Sequence, residues 1–262
     1  MKMTDAQRRA AAEQLFEAER TREWMPPIST THPDVDVEDA YLISILVTEL
    51  KVAAGRKVKG HKIGLVSKAM RERTGATEPD YGTIFDDWFV PEGSTISMST
   101  MNRPLVEVEL AFVLKDRLAG PSVTAADVIR ATDFVLPSIE IVDSRFAERG
   151  GLVDSISDAA SCGLIVLGGC PRRLTDFDVR RVGASLLRNG DIEESGVASA
   201  VLGNPINAVA WLANKLAEFD VAMDAGNVIM SGSFVRAIPF GPGDTMTALF
   251  DQLGEVYFHT TD

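Results

Sequence analysis

Hydrophobic and polar positions alternate along one stretch of the chain in the way that is typical of a β-strand. Between Arg103 and Leu114, Glu107 and Glu109 fall on one face of the predicted strand, and valine and leucine side chains fall on the other. A second apolar run, 134–142, contains one carboxylate, Glu140. Glutamates that face water are the ordinary interpretation of such alternation. The runs are apolar enough for burial, however, and a buried carboxylate needs a partner.

Three carboxylates on two neighbouring strands are the kind of ligand set that a hard divalent cation prefers. Carboxylate oxygens, with coordination positions left for water or substrate, suit Mg²⁺, with Mn²⁺ as the alternative. No histidine or cysteine accompanies these strands, which disfavours zinc. Glu107, Glu109 and Glu140 are therefore the predicted metal ligands.

The amino-terminal part of the chain has helical spacing instead. A capping box at Thr4 begins a first helix, which the pair Pro26 and Pro27 is expected to stop. A second helical pattern begins near Asp36. These features predict an amino-terminal helical region, 1–56, packed on a catalytic body, 57–262.

In most of the body, apolar and polar residues follow the patterns that are typical of β-strands. The stretch 57–65 is predicted as a strand, and Asn189-Gly190 as the turn of a hairpin. By composition, 78–82 is predicted to be a turn. The stretch 150–157 is predicted to be irregular and to serve as a mobile lid. The balance predicts a β-rich α/β domain with helices packed around it.

Composition and charge narrow the class of protein. The 262 residues are 45% hydrophobic, as expected of a globular protein. A formal net charge of -12 argues against nucleic acid and anionic membranes as partners. Cys162 and Cys170 lack the spacing of a redox or zinc motif, and the amino terminus lacks a signal-peptide core. We therefore expect a cytoplasmic protein that binds neither nucleic acid nor membrane.

Several ordered segments together resemble a known family, the hydratase/decarboxylase family of bacterial aromatic meta-cleavage pathways, within the fumarylacetoacetase superfamily. The resemblance covers nearly the whole chain. It is carried by the segments 60–65, 78–82, 106–113, 131–137, 140–145, 204–205, 210–213 and 231–233. It implies a fumarylacetoacetase-like mixed β-sandwich roll, a Mg²⁺ site and a homo-oligomer built from dimers. It also leaves open a second enzyme of the pathway as a partner.

The resemblance implies roles for individual residues. The family's catalytic lysine falls on Lys62 and its site aspartate on Asp80, and its metal ligands fall on the three glutamates named above. Four further residues are expected to bind or orient the substrate: His61, Ser67, Arg145 and Ser233.

The implied reaction is the addition of water to a 2-hydroxy-2,4-dienoate or 2-oxo-alkenoate, giving a 4-hydroxy-2-oxo acid in aromatic catabolism. Both 2-oxohept-4-ene-1,7-dioate and 2-hydroxypenta-2,4-dienoate types of substrate stay open. One alternative is a decarboxylase of 2-oxo-3-hexenedioate, and a more distant one is a non-catalytic scaffolding subunit of a pathway complex. His61 favours the hydratase, because the family's decarboxylases usually have leucine at this position.

Four residues depart from the family's pattern. Val66 replaces a usual threonine, Ser44 a usual glutamine, Ala159 an expected asparagine, and Glu255 a common serine. Since Ser44 and Ala159 bear on substrate contacts, the preferred side chain of the substrate is left open.

Overall fold

Two β-sheets form the body of the protein, and the computed structural model describes all residues from 1 to 262. The α-helices are Asp5–Thr21 (α1), Ile28–Thr31 (α2), Val37–Ala53 (α3), Lys68–Thr74 (α4), Ala125–Ala131 (α5), Leu152–Ser157 (α6) and Pro205–Leu216 (α7). None of them has the length and apolar character needed to cross a bilayer.

Thirteen strands make up the sheets. They are Val58–Gly64 (β1), Asp80–Phe85 (β2), Phe89–Val90 (β3), Thr95–Ser97 (β4), Leu105–Leu114 (β5), Thr132–Val142 (β6), Cys162–Leu167 (β7), Gly183–Arg188 (β8), Asp191–Val197 (β9), Val228–Met230 (β10), Ile238–Pro239 (β11), Thr245–Phe250 (β12) and Gly254–Thr261 (β13).

The larger sheet has the order β2-β1-β10-β5-β6-β7-β3, with β11 paired to β5. Strands β2 and β3 lie at its opposite edges but are consecutive in the chain, joined by Asp86–Trp88. Because three residues span at most about 10 Å, the two edges must approach each other. The sheet is therefore a roll, and we call the concave side of this roll the inner face.

The smaller sheet, in the order β4-β13-β12-β8-β9, covers the outer face of the roll. One apolar core of 42 residues joins them, with Val108 and Leu110 of β5 in the same cluster as Met246 of β12 and Phe258 of β13. The β8–β9 hairpin turns at Asn189-Gly190 as predicted. The two sheets with flanking helices confirm the predicted β-sandwich roll.

Helices α1 and α3 pack on each other through an apolar cluster of their own, which includes Leu15, Ile43 and Phe146. The capping box at Thr4 forms as predicted. However, α1 ends at Thr21 rather than at the prolines. The chain must leave the helix earlier because Met25 pairs with Phe146 as an isolated bridge.

The prediction of a turn at 78–82 is wrong, because Asp80 begins strand β2. Gly82 suggested a turn, but it lies in the strand for a different reason. A Cβ at Gly82 would lie 1.9 Å from the carbonyl oxygen of Ala159. A glycine within a strand often marks such a close backbone approach.

The prediction of an irregular lid at 150–157 is also wrong, because most of this stretch is helix α6. The Asp154 carboxylate is buried and accepts hydrogen bonds from the Ser29 hydroxyl at 2.7 Å and from the Gly151 amide at 2.7 Å. A helix anchored through a buried carboxylate is part of the packed structure.

Candidate metal centre and active site

The three predicted glutamates come together on the inner face of the roll. Glu107 of β5 lies directly opposite Glu140 of β6, and Glu109 follows one pleat along β5. One carboxylate oxygen from each residue lies within 4.8 Å of the other two. Glu109 and Glu140 are fully buried, whereas Glu107 is half-buried and marks the open side of the cluster.

The cluster leaves several buried oxygens without hydrogen bonds. Glu109 Oε1 and both oxygens of Glu140 accept no hydrogen bond, whereas Glu109 Oε2 accepts one from the Gly232 amide at 2.8 Å. Burial and the neighbouring carboxylates raise the pKa of Glu109 well above its ordinary value, and that of Glu107 to about 7. Unsatisfied buried oxygens of this kind require a proton or a cation. The donor set fits a hard divalent cation.

Lys62 of β1 lies on the same face and approaches the glutamates. Its register places it between Gly82 of β2 and Met230 of β10. The Nζ atom is 3.1 Å from Glu140 Oε1, as an ion pair. Burial lowers the pKa of the Lys62 ammonium, but Glu140 and other carboxylates outweigh burial and raise it overall. The side chain is therefore held as a cation among carboxylates.

Asp80 begins β2 opposite Gly64 of β1, so its side chain lies on the inner face with Lys62. The carboxylate is buried, and its Oδ1 accepts no hydrogen bond. Burial raises the pKa of Asp80, while the charge of Lys62 partly offsets this effect. A Cβ at Gly64 would lie 2.2 Å from Asp80 Oδ1 and 3.6 Å from Lys62 Nζ. Gly64 thus leaves open the space that both groups border.

Replacement of Gly64 by alanine is expected to lower kcat by about 10²-fold, because the added methyl group displaces the Asp80 carboxylate from Lys62. Affinity for divalent cations should change little, because the methyl group does not reach the glutamates. Steady-state kinetics and a metal titration would test both expectations. Gly169→Ala is the matched control, since a Cβ there meets no atom within 4 Å. Full activity in Gly64→Ala would contradict the placement.

The metal-free protein should lose stability as the pH rises from about 4.5 to about 7. The pKa of Glu107 is raised from 4.5 to about 7, so in this range the folded state binds more protons than the unfolded state. Glu109 adds to the effect in the same direction. The melting temperature in excess chelator should therefore fall across this range. Saturating Mg²⁺ should remove the slope, and a metal-independent slope would contradict the assignment.

His61 lies away from the glutamates. Strand alternation directs its side chain to the outer face, opposite to Lys62, where its ring centroid is 6.4 Å from that of Tyr81. Burial lowers the pKa of His61 to about 4, and its Nδ1 has no hydrogen-bond partner. The structure does not bring His61 together with the glutamate cluster, and its contact with substrate stays a prediction.

Arg145 is buried, and its guanidinium donates hydrogen bonds to groups of the chain itself. Its Nε donates to Asp158 Oδ1 at 2.5 Å. Its terminal nitrogens donate to the carbonyl oxygens of Asp143 at 3.1 Å, Cys162 at 2.7 Å and Asp158 at 2.7 Å. A guanidinium with so many internal acceptors has little capacity left for a ligand.

Ser67 and Ser233 also have partners within the chain. The Ser67 hydroxyl caps helix α4 by accepting from the Met70 amide at 3.2 Å. The Ser233 hydroxyl lies 3.2 Å from the Val108 carbonyl oxygen and 2.9 Å from that of Val235. Both serines lie in loops that follow strands of the larger sheet, and their hydroxyl groups bond to helix α4, within the loop or to the neighbouring strand β5.

Two features of the site were missed from the sequence. Gly232 holds Glu109 through its amide, and its φ of 96° suits glycine, but the sequence indicated only a turn there. The other is a left-handed turn, Ala159–Ser161, with φ values of 51°, 50° and 59°. This turn closes the roll against Gly82. No glycine or asparagine marked it in the sequence.

The structure shows where the residues that depart from the family's pattern lie. Ala159 is buried in the inner-face cluster that includes Met230 and Cys162. Ser44 is buried in α3. The Val66 side chain packs at Gly232, where a Cβ would lie 2.4 Å from Val66 Cγ1.

Comparisons with known proteins find similar proteins that match nearly the whole chain. The family model described as "Fumarylacetoacetate (FAA) hydrolase C-terminal" matches residues 52–259. The chain is 45% identical over 252 residues to a 2-oxo-hept-4-ene-1,7-dioate hydratase of Escherichia coli, covering 94% of both chains. It is 37% identical over 255 residues to a 2-keto-4-pentenoate hydratase of Paraburkholderia xenovorans, covering 97% of this chain and 95% of the relative.

A solved structure shares nearly the whole fold. The 4-oxalocrotonate decarboxylase from Pseudomonas putida G7, complexed with magnesium and adipate, matches with a TM-score of 0.95 and 34% identity, covering 98% of each chain. The same decarboxylase with calcium and acetate matches with a TM-score of 0.94. These complexes support a divalent metal, and the hydratase relatives confirm the expectation of an enzyme with hydratase activity.

Proposed function

We propose that this chain, which belongs to the fumarylacetoacetate hydrolase family, adds water to a 2-hydroxy-2,4-dienoate or its 2-oxo-alkenoate tautomer with Mg²⁺ as its metal. The product is a 4-hydroxy-2-oxo acid, and Mn²⁺ is the alternative ion. The observation that carries the proposal is a glutamate trio, two of its members fully buried, with unsatisfied oxygens next to the Lys62 ammonium. The family membership confirms the resemblance found in the sequence.

Glu107, Glu109 and Glu140 would hold the divalent cation, which supplies Lewis-acid polarisation of a 2-oxo acid when bound. The protein must supply the proton transfers. The dienol needs a proton at C5 to become an unsaturated 2-oxo acid. Water then adds its oxygen to C4 while a proton is delivered to C3. The acid/base groups must therefore serve two carbon atoms of one bound substrate.

Lys62 and Asp80 are the proposed acid/base pair. They lie on neighbouring strands and face the same gap beside Gly64. The Lys62 ammonium can give a proton to carbon, and the Asp80 carboxylate can accept one from water. Burial of both groups limits exchange with bulk solvent, so protons remain available for transfer within the site.

Replacement of Lys62 by methionine should lower kcat by about 10²- to 10⁴-fold, because the acid/base group is lost. Affinity for Mg²⁺ should persist, since the three carboxylates remain. Isothermal titration with Mg²⁺ and steady-state kinetics would separate the two effects. Lys59→Met, at an exposed position of the same strand, is the control and should behave as wild type. A variant that loses only metal binding would show that Lys62 has been assigned the wrong role.

The product of the reaction distinguishes hydration from decarboxylation. Decarboxylation is the second candidate, because the solved relative with a TM-score of 0.95 is a decarboxylase. We expect a panel of 2-hydroxydienoates to lose absorbance in the presence of enzyme and Mg²⁺, with a gain of one water in product mass. Release of CO₂ without that mass gain would establish the decarboxylase instead.

The proposal also covers the substrate class, the cellular location, the assembly and the domain division of the enzyme. Its substrate is a small 2-oxo acid, and the solved relative is likewise complexed with a small carboxylic acid, adipate. The chain acts in the cytoplasm as a homo-oligomer built from dimers, with residues 1–56 as a helical region packed on the catalytic body 57–262. Sedimentation velocity would test the oligomer, and limited proteolysis of the intact chain would test the division.

A further inference from the structure

Arg71 in helix α4 has free hydrogen-bonding capacity close to the site. Its Nη1 donates to the carbonyl oxygens of Leu65 at 2.8 Å and Val66 at 2.9 Å. The side chain is half-buried and forms no ion pair, although the chain has 38 aspartates and glutamates. Its Nε and Nη2 donate to no group of the protein. The guanidinium is thus held through Nη1, and the donors on Nε and Nη2 are free to bind a ligand.

The residues that hold Arg71 belong to the rim of the active site. Leu65 directly follows Gly64, where a Cβ would lie 2.2 Å from Asp80 Oδ1. Val66 packs at Gly232, whose amide donates to Glu109. The anchoring carbonyls are therefore one and two residues beyond Gly64, which borders the gap between the proposed acid/base groups.

The backbone at this anchor is unusual. Leu65 has a φ of 54°, in the left-handed region that non-glycine residues rarely adopt. Such a conformation persists only where the surroundings hold it. The two hydrogen bonds from Arg71 supply part of that support, and in return they fix the guanidinium at the rim. Helix α4 has no buried residue, so its packing alone does not explain this position.

The other cations around the site are already neutralised by carboxylates. Lys62 pairs with Glu140, Arg145 pairs with Asp158, and Lys215 lies 2.9 Å from Glu78. A site with three glutamates and a net charge of -12 around it repels a substrate with two carboxylates. A second carboxylate therefore needs a local cation with free donors, and Arg71 is held by carbonyl oxygens only.

We propose that Arg71 binds the distal carboxylate of a dicarboxylic substrate, so that the enzyme prefers a seven-carbon dioate over the five-carbon monoacid. The proposal rests on the hydratase function proposed above and specifies its substrate class. The planar fork of a guanidinium matches the two oxygens of a carboxylate, and the hydrogen bonds between them are charge-assisted. In a seven-carbon dioate, the far carboxylate lies several bonds from the 2-oxo acid, which suits recognition at the rim.

The test compares two substrates in wild type and Arg71→Gln. For 2-hydroxyhepta-2,4-diene-1,7-dioate, we expect KM to rise by about 10- to 100-fold, the size expected for lost charge-assisted hydrogen bonds. For 2-hydroxypenta-2,4-dienoate, the loss should be limited to what the weakened Leu65–Val66 anchor costs both substrates, so the preference in kcat/KM for the dioate over the monoacid should fall by about 10- to 100-fold. Arg71→Lys should fall between wild type and Arg71→Gln on the dioate, because it keeps the charge and loses the fork.

Arg73→Gln is the matched control, since Arg73 is exposed on the same helix and should show wild-type kinetics on both substrates. An equal loss of kcat/KM on both substrates in Arg71→Gln would overturn the proposal, because it would mean that Arg71 only supports the Leu65–Val66 loop. An unchanged KM for the dioate would overturn it too. The hydratase function is judged separately, by whether the wild-type enzyme hydrates either substrate at all.

Discussion

Glu140→Gln is expected to lose at least about 10³-fold in metal-dependent turnover while the protein stays folded. Glutamine keeps the size of the side chain but removes the negative charge from the centre of the trio. Glu140 also contacts the Lys62 ammonium at 3.1 Å, so the substitution affects both the metal ligands and the acid/base group. Glu107→Gln should also abolish turnover, but without breaking this ion pair.

Three measurements on these variants separate metal binding from folding. Isothermal titration should show no Mg²⁺ binding in Glu140→Gln, while circular dichroism should match wild type. Excess EDTA should reduce wild-type activity to the level of the variant. Glu148→Gln, an exposed carboxylate beyond the end of β6, is the control and should remain fully active. Normal turnover in Glu140→Gln, or full wild-type activity in EDTA, would remove the metal hypothesis.

The clustering of the three glutamates could be predicted because it depends on local rules. The alternation of a strand places Glu107 and Glu109 on one face whatever the rest of the fold does. Two adjacent antiparallel strands then set Glu140 opposite Glu107. The helix caps at Thr4 and Asn204 are likewise decided within a few residues, and the cap at Thr4 forms as predicted.

The surroundings of the side chains expected to bind substrate could not be predicted from sequence in the same way. Whether His61 or Lys62 faces the glutamates depends on which side of β1 meets the smaller sheet, and this is a property of the whole fold. Arg145 and Ser233 lie next to the site in sequence, but their side chains bond to the chain itself. Asp158, which takes up the charge of Arg145, lies 13 residues further along the chain and showed no distinctive pattern.

The buried pair Arg145 and Asp158 is expected to be the most sensitive structural contact around the site. Arg145→Met should lower the free energy of unfolding by about 3–5 kcal/mol, because it leaves the Asp158 carboxylate buried without its cation. A protein of this kind has about 5–15 kcal/mol of stability in total. Asp158→Asn should be comparably damaging, since it leaves the guanidinium buried without its anion.

The effect of Arg145→Met should also reach the active site, through the turn that follows Asp158. Ala159, Ala160 and Ser161 all have left-handed backbones, each costing about 1–2 kcal/mol. Arg145 holds the two ends of this turn, through the carbonyl oxygens of Asp158 and Cys162. Without Arg145 the turn should relax away from strand β2. Activity in Arg145→Met should therefore fall even at temperatures where the variant is fully folded.

Urea unfolding of single and double variants tests this interpretation. If the pair acts as a unit, Arg145→Met combined with Asp158→Leu should cost less than the sum of Arg145→Met and Asp158→Leu measured separately. Arg236→Met is the matched control, because Arg236 pairs with Glu194 while 76% exposed and should cost less than about 1 kcal/mol. A loss of that same small size in Arg145→Met would show that the pair is dispensable and that apolar packing alone holds the turn against β2.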